Sequence, residues 1–154
     1  MKRSKIEYSP IGIIHSPFSK PTDMPCQPGL GKNIKGIIEV FPEYQEGLTD
    51  LDGFSHIVIL CHLHLSTQFH LRIIPRLETE KRGLFATRSP RRPNPIALSI
   101  VRLDNIEENR LFIRDLDMVE GTPVLDIKPY INESYEDDEI RLGWLENIRS
   151  REIS

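Results

Sequence analysis

Glycines and prolines cut this chain into short apolar segments. The 154 residues include 12 prolines and 9 glycines, and the apolar segments between them are rich in Ile, Val and Phe. Proline fixes φ and removes a backbone hydrogen-bond donor, and glycine often marks a turn. Short β-branched segments bounded by such residues are typical of strands. The pattern therefore predicts a mainly β protein.

Several segments have the strand pattern, and no helical crossover pattern lies between them. They are 11–16, 34–41, 56–63, 84–87, 96–103, 111–116 and 124–130. Strands without helical crossovers are typical of antiparallel sheets, so we expect a small antiparallel β-barrel with short peripheral helices. Because the chain has no internal repeat and no Gly/Ser linker, we expect one domain over residues 1–154.

A C-terminal helix is also predicted. Apolar residues recur there at the i, i+4, i+5 and i+8 spacing of one helical face. These residues are Ile140, Trp144, Leu145 and Ile148. A second helical pattern covers 67–77, where Pro75 would end or break a helix.

Composition indicates a globular protein. Hydrophobic residues make up 38% of the chain and charged residues 28%, and every apolar run is far shorter than the ~18 residues that span a bilayer. The basic N-terminus is followed by Glu7, Ser9 and Pro10 rather than by the apolar stretch of a signal peptide, so we expect a cytoplasmic protein with no membrane association. Cys26 and Cys61 stand alone, which favours neither a disulfide framework nor a zinc site.

The net charge of −3 conceals an uneven distribution. Residues 1–66 sum to −1, residues 67–102 to +6 and residues 103–154 to −8. A basic middle segment is compatible with a polyanion-binding site. The alternative is that the basic and acidic segments pair with each other in the fold.

The densest motif is a loop rich in arginine and proline. Residues 83–96 contain Arg88, Arg91 and Arg92 together with three prolines. Prolines stiffen the loop, so it presents its guanidinium groups at low entropic cost. Guanidinium groups bind carboxylate or phosphate bidentately, which favours an anionic ligand. The alternative is a solvated turn.

A second motif covers residues 117–130. Its Gly-Thr-Pro sequence predicts a turn, and period-two spacing places Asp126, Lys128 and Tyr130 on one face of the following strand. Aspartate is depleted in strands, so we expect Asp126 to have a hydrogen-bonding role. The alternative is an ordinary solvated strand face.

Three histidines occupy even positions near one predicted strand. His56, His62 and His64 would point the same way, but no nearby acid or cysteine completes a ligand set, so we expect no metal. Cys61 lies within the same apolar strand and is interpreted as a core residue rather than a nucleophile. The fingerprints of common ATP-binding, dinucleotide-binding and serine-hydrolase sites are absent from the sequence.

Both motifs resemble those of the TrmO family, also called YaeB or TsaA-like. Residues 83–97 are similar to its GVFATRSxxRPNPIG-type loop, and residues 117–130 to its D-x-x-x-GTPVxDIKPY strand pair. Supporting matches are residues 11–18, 27–29 and 54–56. Ala97 stands where the family motif has glycine, and longer family members continue with a C-terminal extension.

The resemblance implies a small β-barrel methyltransferase that acts as a homodimer, with S-adenosylmethionine (SAM) bound close to the subunit interface. The expected reaction methylates the exocyclic amine of a threonylcarbamoylated adenosine that lies 3′ of a tRNA anticodon. Carried over by motif, the expected SAM contacts are Gln27, Pro28, His64, Leu65, Arg88, Leu98, Leu116 and Asp117, and the loop between Arg88 and Leu98 is expected to line the same pocket.

The reaction also suggests roles for other side chains. The amine becomes cationic as it attacks, so a nearby carboxylate or hydroxyl would stabilise it and accept a proton; Asp126 and Tyr130 are the candidates. The basic residues expected to contact tRNA phosphates are Arg72, Arg76, Lys81, Arg82, Arg91 and Arg92. The alternatives are a SAM-binding barrel with another substrate and a non-catalytic RNA-binding module.

Overall fold

Strands dominate the computed structural model, which describes residues 4–24, 32–76, 78–132 and 141–152. The strands are β1 Gly12–His15, β2 Lys35–Val40, β3 His56–His62, β4 Arg72–Ile73, β5 Arg82–Gly83, β6 Ile96–Glu107, β7 Arg110–Arg114 and β8 Pro123–Pro129. Short 3-10 turns occupy Pro21–Asp23, Pro42–Leu48, Leu51–Gly53 and Leu84–Ala86, and the helix α1 covers Leu145–Glu152. Within the described ranges, no helix is long and apolar enough to cross a membrane.

Six of these strands close into a barrel. Their order around it is β1, β2, β7, β6, β3 and β8, and β8 returns to β1 through the pairing of Gly12 with Val124. Every neighbouring pair is antiparallel. Closure leaves no free edge strand among these six, which protects the barrel from edge-to-edge aggregation. The predicted antiparallel β-barrel is therefore confirmed.

Alternation along each strand fills the barrel interior. On β3, the side chains of Ile57, Ile59 and Cys61 are fully buried, and the residues between them face outward. The longest strand, β6, buries Val101 and Leu103 in the same alternating way. Within the strands predicted from short β-branched segments, alternation with a period of two therefore builds the core.

The described residues group into two compact units. Those within 1–69 and 90–130 form the barrel unit, and those within 70–89 and 131–154 form a second unit. In the second unit, the indole N–H of Trp144 donates to the carbonyl of Ala86 at 2.9 Å, and the Arg82 guanidinium lies 5.6 Å from the Trp144 ring centroid. The expectation of one domain over residues 1–154 stays a prediction.

Two local predictions are wrong. Residues 84–87 do not form a strand, because both the amide and the hydroxyl of Thr87 donate to the Leu84 carbonyl and close a 3-10 turn. The described part of 67–77 is not helical, and Arg72–Ile73 pairs instead with Arg82–Gly83. The C-terminal helix is present but begins at Leu145, and Ile140 lies outside the described residues.

Close packing around Gly12 generates a stability prediction. A Cβ at Gly12 would lie 2.5 Å from the backbone oxygen of Glu39 and 3.0 Å from Cα of Val40. Because backbone atoms must shift to admit it, we expect Gly12→Ala to lower the free energy of unfolding by about 1–3 kcal/mol. Urea denaturation followed by circular dichroism measures the change.

The matched control is Gly47→Ala in the Pro42–Leu48 turn. A Cβ at Gly47 would meet nothing within 4 Å, so we expect little change in the free energy of unfolding. Equal stability of the two variants would contradict the close approach of β1 and β2 at Gly12.

Candidate functional site

A cleft of about 240 Å³ opens in the barrel unit. Its walls come from segments that are far apart in sequence but meet beyond the end of β3. The lining residues are Pro21, Met24, Leu63, His64, Leu65, Ser66, Pro90, Arg91, Asp117, Met118, Val119 and Thr122. Mostly apolar walls with a few convergent polar groups are typical of small-molecule sites.

Backbone hydrogen bonds hold the first wall, formed by the loop after β3. The Leu63 N–H donates to the Pro95 carbonyl at 2.7 Å, and the Ser66 hydroxyl donates to the Pro90 carbonyl at 3.0 Å. The Ser66 N–H closes the turn on the Leu63 carbonyl at 2.9 Å. The loop that carries His64 is therefore fastened to the proline-rich loop that precedes β6.

The opposite wall lies between β7 and β8. The Ser99 hydroxyl, on the inner side of β6, donates to Oδ1 of Asp117 at 2.6 Å. The Ser16 hydroxyl donates to the Met118 carbonyl, also at 2.6 Å. These bonds fix a carboxylate and two apolar side chains, Met118 and Val119, along the cleft.

His64 has an unsatisfied ring nitrogen. Its Nδ1 is buried and has no hydrogen-bond partner among the described residues. Because an unpaired buried polar atom is costly, such groups in a folded protein call for an explanation, and a ligand is one. His64 therefore has a buried polar atom, at the lining of the cleft, that the described residues leave unexplained.

Cys61 has a buried and unreactive thiol. Its side chain is fully buried, and burial, reinforced by the charge of Asp117, raises the pKa of its thiol to about 12. A thiol with this pKa stays protonated at neutral pH and is a poor nucleophile. The interpretation of Cys61 as a core residue is confirmed.

The expected SAM contacts divide into five groups. His64, Leu65 and Asp117 line the cleft, and Leu116 is buried in the core next to Asp117. Leu98 lies outside the cleft lining, 56% exposed on the outer face of β6. Arg88 belongs to the second unit, and its contact with SAM stays a prediction. Gln27 and Pro28 lie outside the described residues.

The two candidate proton acceptors lie away from the cleft lining. Asp126 accepts the Ile127 N–H at 2.9 Å and pairs with the Lys128 ammonium at 2.8 Å, so it has the hydrogen-bonding role that its position in a strand predicts. The Tyr130 N–H donates to the His56 carbonyl at the start of β3. Since β3 has seven residues, Tyr130 is about 20 Å from the cleft end of that strand. Proton acceptance by Asp126 or Tyr130 stays a prediction.

The basic residues expected to contact tRNA fall in both units. Arg91 and Arg92 belong to the barrel unit, and Arg91 lines the cleft. The other four belong to the second unit: Arg72, Arg76, Lys81 and Arg82. Arg82 has internal partners, since its guanidinium lies 3.0 Å from Glu78 in addition to the contact with Trp144.

Sequence reasoning missed part of the cleft lining. Pro90 and Arg91 fall in the loop between Arg88 and Leu98 that the resemblance places at the SAM pocket, but Ser66, Met118 and Val119 were not predicted as site residues. No pattern within a single segment could have found them, because their role comes from contacts between loops.

The histidines also differ from expectation, since β3 ends at His62 and His64 lies in the following turn. No cluster of metal-ligating side chains occurs among the residues that the structure describes.

Comparison with known proteins identifies relatives along most of the chain. A family model described as the tRNA-methyltransferase O N-terminal domain matches residues 13–136. A probable S-adenosyl-L-methionine-binding protein of Pyrococcus abyssi is 52% identical over 139 residues, which cover 90% of this chain and 76% of that protein. A tRNA (adenine(37)-N6)-methyltransferase of Homo sapiens is 37% identical over 131 residues, which cover 80% of this chain.

Solved structures share the fold. A crystal structure of TrmO from Pseudomonas aeruginosa superposes with a TM-score of 0.74 at 36% identity, over 91% of this chain. The matched region is 62% of that chain's length, and it is 30% of the length of the human protein. The present chain therefore corresponds to a part of these longer proteins.

Proposed function

This chain belongs to the TrmO family, and we propose that it is a SAM-dependent methyltransferase acting on the exocyclic amine of an adenine in tRNA. One observation carries the proposal. All the segments that line the cleft lie within residues 13–136, the region that matches the family model. The residues that line the cleft therefore belong to the region that matches the family model.

The cleft residues fit the chemistry of SAM. This cofactor combines an adenine ring and aliphatic carbons with hydroxyl groups and a positively charged sulfur. Leu63, Met118 and Val119 offer apolar surface, and the Asp117 carboxylate offers a negative charge and hydrogen-bond acceptors. The imidazole of His64 adds a polar side chain to the wall formed by the loop after β3.

The proposed reaction is a displacement at the methyl carbon. When bound, SAM supplies a methyl group: the amine nitrogen forms a bond to this carbon, the carbon–sulfur bond breaks with its electron pair on sulfur, and the amine loses a proton. Alignment supplies most of the rate in such a step. The loop bonds of Leu63 and Ser66 keep the cleft walls in place, and Asp117 favours positive charge nearby.

For the substrate, we propose an adenosine that carries a threonylcarbamoyl group and lies 3′ of the anticodon. The name of the human relative, a tRNA (adenine(37)-N6)-methyltransferase, supports the N6 amine of an adenine in tRNA, and the threonylcarbamoyl group and the position 3′ of the anticodon come from the resemblance of the motifs to the TrmO family. Asp126 is retained as a candidate proton acceptor, whereas the position of Tyr130, about 20 Å from the cleft end of β3, argues against that role in the cleft of its own chain. Both are at least partly exposed, and Tyr130 makes an edge-on contact with His56 at 6.3 Å between centroids.

Calorimetric titration with SAM tests the cofactor site. We expect Asp117→Asn to weaken SAM binding about tenfold, because it replaces a charged acceptor by a neutral one. Asp52→Asn, at an exposed carboxylate outside the cleft lining, is the matched control and is expected to bind normally. Failure of the wild-type protein to bind SAM would contradict both the methyltransferase and any other SAM-dependent function.

Nucleoside analysis extends this test to the substrate. The protein is incubated with SAM and with tRNA that bears or lacks the threonylcarbamoyl group, and the nucleosides are analysed by mass spectrometry. We expect methylation of the modified adenosine only. SAM binding without methylation of either tRNA would instead indicate a SAM-binding barrel with another substrate.

Electrostatic contacts with tRNA give a second prediction. We expect Arg72→Ala and Lys81→Ala each to reduce the slope of log affinity against log salt by about 0.7–0.9, the value for one phosphate contact, and to leave SAM affinity unchanged. The matched control is Lys35→Ala, at an exposed lysine on β2. Equal salt slopes in all three variants and the wild type would contradict the assignment of these contacts.

We also propose that the protein forms a homodimer through the outer face of β3 and β6. Apolar residues pair across the two strands there, Val58 with Ile100 and Leu60 with Leu98. Ile100 is 47% exposed, and a two-fold axis would bury this face against its copy. Such a dimer would also explain how Leu98, outside the cleft of its own chain, could contribute to a SAM site.

Sedimentation equilibrium tests the dimer. We expect Leu98→Asp to convert the dimer to a monomer, since the interface would bury an unpaired charge. Ile6→Asp, at an exposed apolar residue near the N-terminus, is the control and is expected to remain dimeric. A monomeric wild type, or a dimeric Leu98→Asp variant, would contradict this interface.

A further inference from the structure

His15 lies between two carboxylates at the end of β1. Its Nδ1 is 3.0 Å from Oε1 of Glu120, and its Nε2 is 2.9 Å from Oε2 of Glu39. Glu39 is on the neighbouring strand β2, whereas Glu120 follows the segment 117–119 that lines the cleft. The imidazole therefore connects the barrel wall to a wall of the cleft.

Further bonds tie the cleft segment to the same part of the chain. The second carboxylate oxygen of Glu120 accepts the Ser16 N–H at 2.6 Å, and the Glu120 N–H donates to the Phe18 carbonyl at 2.7 Å. The Ser16 hydroxyl holds the Met118 carbonyl at 2.6 Å. Residues 15–18 thus hold the backbone of this segment at both Met118 and Glu120.

Only a protonated His15 can donate a hydrogen bond to each of the two carboxylates. A neutral imidazole has one N–H and one acceptor nitrogen, whereas the imidazolium donates from both nitrogens. The hydrogen bond with Glu120 is the main cause that raises the pKa of His15, and Glu39 adds to it. The pKa of Glu120 is lowered, first by the Ser16 N–H and then by His15. Among the residues that the structure describes, Arg110 on β7 also lies near this pair, at 3.9 Å from Glu39.

We propose that His15 and Glu120 form a pH-sensitive clamp that positions the Met118–Val119 wall of the cleft for ligand binding. Both are positioning residues, since they act through the backbone of that wall and neither lines the cleft. That the ligand is SAM rests on the proposed function, whereas the clamp itself does not.

The direction of the pH effect follows from the two carboxylate contacts. Because folding raises the pKa of His15, its contribution to the free energy of unfolding is complete below the ordinary histidine value near 6.5. This contribution is lost as the pH rises through the pKa of the folded state. Because folding lowers the pKa of Glu120, its contribution to the free energy of unfolding is present above the ordinary glutamate pKa and is lost as the pH falls through the lowered value. The clamp is therefore closed at mildly acidic pH, below the ordinary histidine value, and it weakens as the pH rises through the raised pKa of His15.

Without ligand, nuclear magnetic resonance tests the clamp itself. We expect Glu120→Gln to lower the pKa of His15, followed at its ring protons, and to speed amide exchange at Glu120 and Gly121. In the wild type, raising the pH through the His15 pKa should increase exchange at these amides beyond the intrinsic effect of pH. Glu43→Gln, at an exposed glutamate of the Pro42–Leu48 turn, is the control and should change neither quantity.

With SAM, the same titration tests the coupling to the cleft. Linkage requires that, if protonated His15 favours binding, saturating SAM raises the pKa of His15. We expect this rise in the wild type, and a loss of SAM affinity of about two- to fivefold in Glu120→Gln at pH 6, the range for a half-exposed ion pair. The wild-type titration needs no variant, so a poorly folded variant does not prevent the test.

The outcomes separate the clamp from the cofactor. If SAM binds but leaves the pKa of His15 unchanged, the positioning role is overturned while the proposed function stands. If amide exchange at residues 120 and 121 shows only the intrinsic effect of pH and does not respond to Glu120→Gln, the clamp is overturned, whether or not SAM binds. If SAM does not bind but exchange responds as expected, the clamp is supported and the proposed cofactor is wrong.

Discussion

The barrel depends on the pairing of β1 with both of its neighbours. This strand has only four residues, yet it pairs with β2 on one side and β8 on the other, and Gly12 takes part in both pairings. The close approach of β2 leaves no room for a Cβ at Gly12. Ile14 of the same strand is fully buried, and His15 contacts the segment that leads to the cleft. One short strand therefore closes the barrel and supports the site.

Proline-rich segments act in the cleft as hydrogen-bond acceptors. Proline has no N–H, but its carbonyl oxygen accepts normally, and Pro90 and Pro95 accept from the loop that follows β3. The stiff arginine loop is thus a scaffold for His64 as well as a carrier of charge. This explains why the cleft can be built largely from loops and still have defined walls.

The basic middle segment of the chain is divided between the two compact units. The basic middle segment does not belong to one compact unit, because four of the six residues expected to contact tRNA belong to the second unit and two to the barrel unit. Arg82 pairs with Glu78 and contacts Trp144, which supports the alternative that some of these charges pair internally. At the cleft, Arg91 and Asp117 bring both signs of charge to one site.

The sequence by itself determined the barrel strands and the family. The apolar segment 57–61 and the motif residues of 83–97 and 117–130 are each contiguous in sequence, so they could be recognised without coordinates. Local patterns failed at 84–87, where the Thr87 side chain and backbone close a turn that apolar periodicity does not reveal.

Only the tertiary structure decided which residues meet. The partnership of His15 with Glu120 joins positions 105 residues apart, and that of Ser66 with Pro90 joins positions 24 apart. Such contacts depend on the order of strands around the barrel and on the path of its loops, neither of which is written in local spacing. The same physical reason separates Asp117, which lines the cleft, from Asp126, which a motif alone made an equal candidate.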